Sequence, residues 1–91
     1  MNQVCRFKFS DNLTKGDIET QLALAITAAE CTYGRARVRI SAAYFIAKDR
    51  PAVVVDVSTE VGEYIAQAFT ELMTRLISEE NFTVERVLKQ D

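Results

Sequence analysis

Between residues 35 and 58 the chain reads RARVRISAAYFIAKDRPAVVVDVS, two alternating arms around a polar tip that ends in proline. Alternation sends successive side chains to opposite faces of a strand. The first arm divides into Ala36, Val38, Ile40, Ala42, Tyr44 and Ile46 against Arg35, Arg37, Arg39, Ser41, Ala43, Phe45 and Ala47. The second sets Val53, Val55 and Val57 against Ala52, Val54, Asp56 and Ser58. A long β-hairpin is predicted. Its apolar faces coincide if Tyr44 pairs with Val53, Ala42 with Val55 and Ile40 with Val57, and a one-residue slip would turn a whole set outward. The tip is then 47–50, or Lys48-Asp49 alone, with Pro51 opening the return arm; without Gly, a four-residue turn is expected.

The remaining segments fall around this hairpin. Residues 3–10 alternate, with Cys5, Phe7 and Phe9 against Val4, Arg6 and Lys8, and predict a first strand ending in a turn at Asp11-Asn12. Thr14 and Asp17 have capping-box spacing, and Leu13 with Ile18 has the spacing of a hydrophobic staple. A helix is therefore expected from about Thr14 to the stop at Gly34, with the stripe Ile18, Leu22, Ala25, Ile26, Ala29 and Tyr33 toward the core. Ser58 or Thr59 can cap a second helix running to about Ser78, with Glu60 and Glu63 favourably placed in its first turn. Residues 82–88, FTVERVL, read as a fourth strand, with a short terminal helix as the alternative. Strand, helix, strand, strand, helix, strand is the order of two split βαβ units. It predicts an α+β, ferredoxin-like sandwich: an antiparallel sheet with two helices on one face.

Size and composition bound what such a domain can do. The 91 residues suit one domain with one core, and 48% hydrophobic content with mixed charge suits a folded, soluble chain. A net charge of −2 disfavours wholesale binding to nucleic acid or anionic membranes, while leaving room for a local basic patch. No apolar run near the N-terminus suggests a secretory signal, so a cytoplasmic location is the expectation. Cys5 and Cys31 have neither metal nor redox spacing and read as reduced thiols. Histidine is absent, removing the commonest general base and metal ligand. The glycines Gly16, Gly34 and Gly62 are isolated and form no phosphate loop. Asp56, between arginines on the open sheet face, is the one acid with a conceivable catalytic place. The sequence leans away from an enzyme and indicates no cofactor.

Two surfaces stand out. If Cys5, Phe7 and Phe9 lie under the helices, Arg6, Lys8, Arg35, Arg37 and Arg39 share the open face of the sheet. RNA-recognition modules of this topology hold single strands on such a face, stacking bases on aromatic rings of the central strands. Here the central strand offers Val54, Asp56 and Ser58, and Asp56 and Glu85 could instead neutralise the arginines. The second surface is helical. Residues 20–29, TQLALAITAA, carry no charge, which leaves Thr20, Ala23, Leu24, Thr27, Ala28 and Cys31 on the side away from the core. In the second helix Val61, Ile65, Ala68, Leu72 and Leu76 suffice to cover a sheet. Ala66, Phe69, Met73 and Ile77 widen the apolar arc beyond the usual stripe of roughly 100°. Surplus of this kind marks an interface, most simply with a second copy of the chain.

The runs Ile18-Glu19-Thr20, Ala28-Ala29-Glu30 and Ala36-Arg37-Val38 resemble segments of bacterial microcompartment shell proteins. That resemblance implies a symmetric assembly and a strand at 36–38. In that family the first run closes a strand, whereas here it falls inside the first helix, and AAYFIAKDRP stands where a Gly-rich pore segment is expected. The favoured reading is a non-enzymatic interaction or regulatory module. It self-associates through Leu24, Ala28, Ala66, Phe69, Met73 and Ile77 into a homodimer or larger homo-oligomer. Single-stranded nucleic-acid binding through the basic face is the alternative.

Overall fold

Phe7 and Phe9 point inward from β1 (Gln3–Phe9), and the rest of the chain assembles over them. The computed structural model describes residues 3–10, 13–77 and 79–88. After β1 come α1 (Lys15–Tyr33), α2 (Arg35–Ser41), β2 (Tyr44–Ile46), β3 (Ala52–Asp56), α3 (Glu60–Ile77), a 3-10 turn (Glu79–Asn81) and β4 (Phe82–Leu88). The strands form one antiparallel sheet in the order β2-β3-β1-β4. Helices α1 and α3 lie side by side on one face and share a single core with it. The Cα radius of gyration, 12.5 Å, is close to the roughly 12 Å expected for this length.

The signals at the start of α1 act as the sequence implies. Thr14 is extended (φ −83°, ψ 152°), and its hydroxyl accepts from the Asp17 amide at 3.1 Å. Ile18, Leu22, Ala25 and Ala29 are buried, with Ile26 and Tyr33 partly so. Gly34 takes a positive φ of 91°, which lets α1 end and the chain turn sharply. Residues 82–88 form a strand, pairing along β1 from Gln3↔Leu88 to Phe9↔Phe82. The turn expected at Asp11-Asn12 and the helix end at Ser78 lie outside the described residues.

The hairpin is shorter than its alternation suggests. Arg35 to Ser41 form a helix, so the strand expected there, and at 36–38 by the microcompartment resemblance, is replaced by α2. Arginine and alanine favour helix over strand, and only Val38 of this segment is buried, so one inward position is all its packing demands. What remains of the first arm pairs as Tyr44↔Val55, Phe45↔Val54 and Ile46↔Val53. The register is two residues from the expected one. It keeps the expected faces but places Phe45 opposite Val54 rather than Ala52.

A second correction concerns α3. Its inward face is Val61, Ile65, Ala66, Phe69 and Met73; Ala68 and Leu72 are half-buried and Leu76 is 61% exposed. The rings explain this rotation. Phe69 stands edge-on to Phe7 at 4.9 Å and to Phe9 at 5.9 Å, and Phe9 lies 5.9 Å from Phe82. Ala66, Phe69 and Met73, expected at an oligomer interface, therefore form the core of the protein itself. The side chain of Ile77 lies outside the described part.

The turn into α3 is tight. Thr59 accepts from the Gly62 amide at 3.0 Å and donates to the Ser41 carbonyl at 3.1 Å, tying α3 to the end of α2. At Gly62 an added Cβ would overlap the Asp56 carbonyl, which is backbone and cannot swing aside. Gly62→Ala is expected to cost about 2–3 kcal/mol, read as a lower urea midpoint at unchanged m-value. Truncating Phe69 to Ala should cost more, about 3–5 kcal/mol, in the same experiment.

Candidate functional site

The face of the sheet away from the helices carries Arg6 and Lys8 of β1 and has no covering helix or strand among the described residues. Paired residues of antiparallel strands share a face, so the registers define rows across it. One row is Phe45, Val54, Arg6 and Glu85; a second holds Ala52, Lys8 and Thr83; a third holds Asp56, Val4 and Val87. A shallow trough of about 580 Å³ runs over the β2, β3 and β1 part, lined by Arg6, Lys8, Phe45, Ala47, Arg50, Ala52 and Val54. Among the described residues no carboxylate lines it. Ala47 and Ala52 are buried and give the trough a floor of small apolar groups. The Phe45 ring is 60% exposed.

Of the five basic residues expected together, only Arg6 and Lys8 lie on this face. Arg35, Arg37 and Arg39 belong to α2, which packs on α1 and α3 in the helical layer. Arg37 sits 4.9 Å above the Tyr33 ring and 3.7 Å from Glu60. The Tyr33 hydroxyl donates to Glu60 at 3.2 Å, and Tyr33 meets Tyr64 edge-on at 5.5 Å. Lost solvation first, and then the bond to the Glu60 carboxylate, raise the Tyr33 phenol above its ordinary value. This cluster joins the ends of the three helices. Arg35 and Arg39 are exposed and make no ion pair among the described residues.

The residues that sequence reasoning did not assemble are Phe45 and Arg50. Register hid the first, since Phe45 reaches the row of Arg6 only in the observed pairing. Arg50 lies in the hairpin loop, whose Pro51 carbonyl accepts from the Phe9 amide at 2.9 Å and so seats the loop beside β1. Of the acids expected to neutralise the face, Glu85 binds Arg6 at 3.1 Å. Asp56 instead accepts from the backbone amide of Ser58 at 2.9 Å and from its hydroxyl, a local turn that leads into α3.

Beneath the sheet, between β4 and α3, Arg86 donates twice to Glu63, at 2.6 and 3.0 Å, and once to Gln3 at 3.1 Å. The hydrogen bonds from Arg86 hold the Glu63 carboxyl below the ordinary carboxylate value, and burial opposes them. Cys5 lies in the same groove, where burial raises its thiol, with Arg86 acting against it. Cys31 is exposed on α1, and neither cysteine is in a disulfide. Among the described residues no group of three or more acids or cysteines could hold a metal ion, and no helix is long and apolar enough to cross a membrane.

The outer face of α1 keeps most of its small, uncharged side chains away from the core. Leu24 is 50% exposed, Thr20, Ala23, Thr27 and Cys31 are exposed, and Ala28 is half-buried. Thr20 and Thr27 donate to the carbonyls of Gly16 and Ala23 at 2.8 and 2.9 Å, so their hydroxyls turn back onto the helix.

Two outcomes follow from these environments. A carboxyl lowered in the fold stabilises it above its unfolded pKa, about 4.3, and that contribution is lost as pH falls through the lower native value. Wild type should therefore exceed Glu63→Gln in stability near neutral pH. The gap, at most about 1 kcal/mol for so exposed a pair, should close under acid in a pH series of urea melts. With iodoacetamide at pH 8, peptide mapping should find Cys5 largely unmodified in the native protein and alkylated once urea unfolds the chain.

No protein-family model matches the chain, and no curated protein matches it in sequence.

Proposed function

We propose that the protein is a small non-enzymatic interaction module, built on a ferredoxin-like arrangement, that self-associates through the outer face of α1. The fold assignment is supported by the strand order β2-β3-β1-β4 with α1 and α3 on one side, as two interlocked split βαβ units require. The observation that carries self-association is the charge-free strip Thr20, Ala23, Leu24, Thr27, Ala28 and Cys31. An ordinary solvated helix back carries Lys and Glu; this one presents small side chains and one large apolar residue, with its threonine hydroxyls already engaged. Small side chains let a second helix approach closely over α1, which is about 28 Å long. A two-fold arrangement would pair the strip with itself and put the Leu24 residues near the axis.

Light scattering over a range of protein concentrations tests this directly. The wild type should run at a stable multiple of 10.2 kDa that 0.5 M salt does not disturb. Leu24→Asp should move it to the monomer mass with unchanged circular dichroism, because Leu24 contributes little to the core. A monomeric wild type, or a Leu24→Asp variant of undiminished mass, would remove the proposal.

A further inference from the structure

The trough on the open sheet face combines three properties that together select a ligand class. Its floor is apolar and low, made by Ala47, Ala52 and Val54. At one side stands Phe45, a flat ring 60% exposed on a short edge strand, with nothing of its own chain stacked on it among the described aromatic contacts. Across the floor, two strands away at about 4.8 Å per strand, are the cations of β1, with Arg50 from the loop beside them. Lys8 makes no ion pair among the described residues. Among the described residues Arg50 pairs only with its neighbour Asp49, 3.9 Å away, and both side chains are more than 70% exposed, so that pair competes weakly for the guanidinium. Arg6 lines the trough and pairs with Glu85 at 3.1 Å on the side away from Phe45.

A ring, a short apolar span and a pair of available cations suit a ligand that is flat and weakly polar at one end and strongly anionic at the other. We infer that the open face binds a nucleotide, free or as a unit of a single strand, with its base stacked on Phe45 and its phosphate at Lys8 and Arg50. Stacking needs only an exposed π-face, and phosphate needs unhindered cations in water; the trough has both within one sheet row and its neighbour. The arginines of α2 take no part, since they lie in the helical layer.

The chain lacks tryptophan, so Phe45→Trp supplies a single reporter that keeps a ring at the site. Titrating this variant at 20 mM salt with a dT 12-mer, and separately with AMP, should quench the tryptophan as the base stacks. Quenching by the oligomer alone identifies a strand as the source, and quenching by AMP at comparable concentration identifies the free nucleotide. In anisotropy measurements on otherwise wild-type protein with the responding ligand, labelled, Phe45→Ala should weaken binding roughly tenfold. Lys8→Ala and Arg50→Ala should each weaken it; for a strand, each should flatten the dependence of log K on log salt by about 0.7. Arg35→Ala and Arg39→Ala should leave it unchanged. The inference is overturned if neither ligand binds, if Phe45→Ala binds as well as wild type, or if the α2 substitutions weaken binding as much as Lys8→Ala does.

Discussion

Phe69 reaches from α3 to two successive inward rings of β1, 4.9 Å from Phe7 and 5.9 Å from Phe9, edge to face in both cases. One side chain thus fixes α3 along β1 and about its own axis. With Phe69 inward, Ala66 and Met73 must follow it into the core, and Glu63 arrives on the flank that faces Arg86 of β4. Phe9 passes the contact on to Phe82, so the edge strand is drawn into the same aromatic row. Small domains have little apolar area to spare, and a shared row of rings lets a few residues register several elements at once.

The same economy separates the two surfaces that remain. Helices cover one side of the sheet, and on the other Arg6, Lys8, Phe45 and Glu85 alternate outward and are exposed. Their grouping follows from pairing alone: Arg6 opposes Val54, and Val54 opposes Phe45, so a cation, an apolar floor and a ring form a single row. The helical layer ends instead in the corner where Tyr33, Arg37, Glu60 and Tyr64 bind one another. There the charge is spent on holding three helices together.

Where an element announces itself by its ends, the chain could be read directly. Thr14 caps the start of α1, Gly34 marks its end, and the alternation of residues 3–10 marks β1; these act as read. The segment 35–41 could not be read so, because its alternation satisfies a strand while its composition satisfies a helix. The tie is broken by tertiary demand, which asks only for Val38 to be buried and for Arg37 to reach Glu60. Register was the other silent quantity. Shifts of two residues preserve every face, so hydrophobic pattern cannot distinguish them, and the place of Phe45 rests on that distinction. In α3 both candidate stripes were apolar, and the choice between them lay with rings from a strand far away in the chain.

Conversion of the first arm into α2 leaves the sheet with unequal margins. On one side β2 offers three residues, too short a template for a foreign strand to grip. On the other, β4 offers seven, but Glu85 and Arg86 point to its two faces and each is already tied to a partner inside the molecule. A chain adding there would lie against fixed charges above and below the sheet. The fold therefore guards both margins against runaway strand addition by different means, brevity at one and anchored charge at the other. That protection is compatible with a protein that meets its partners through faces rather than edges.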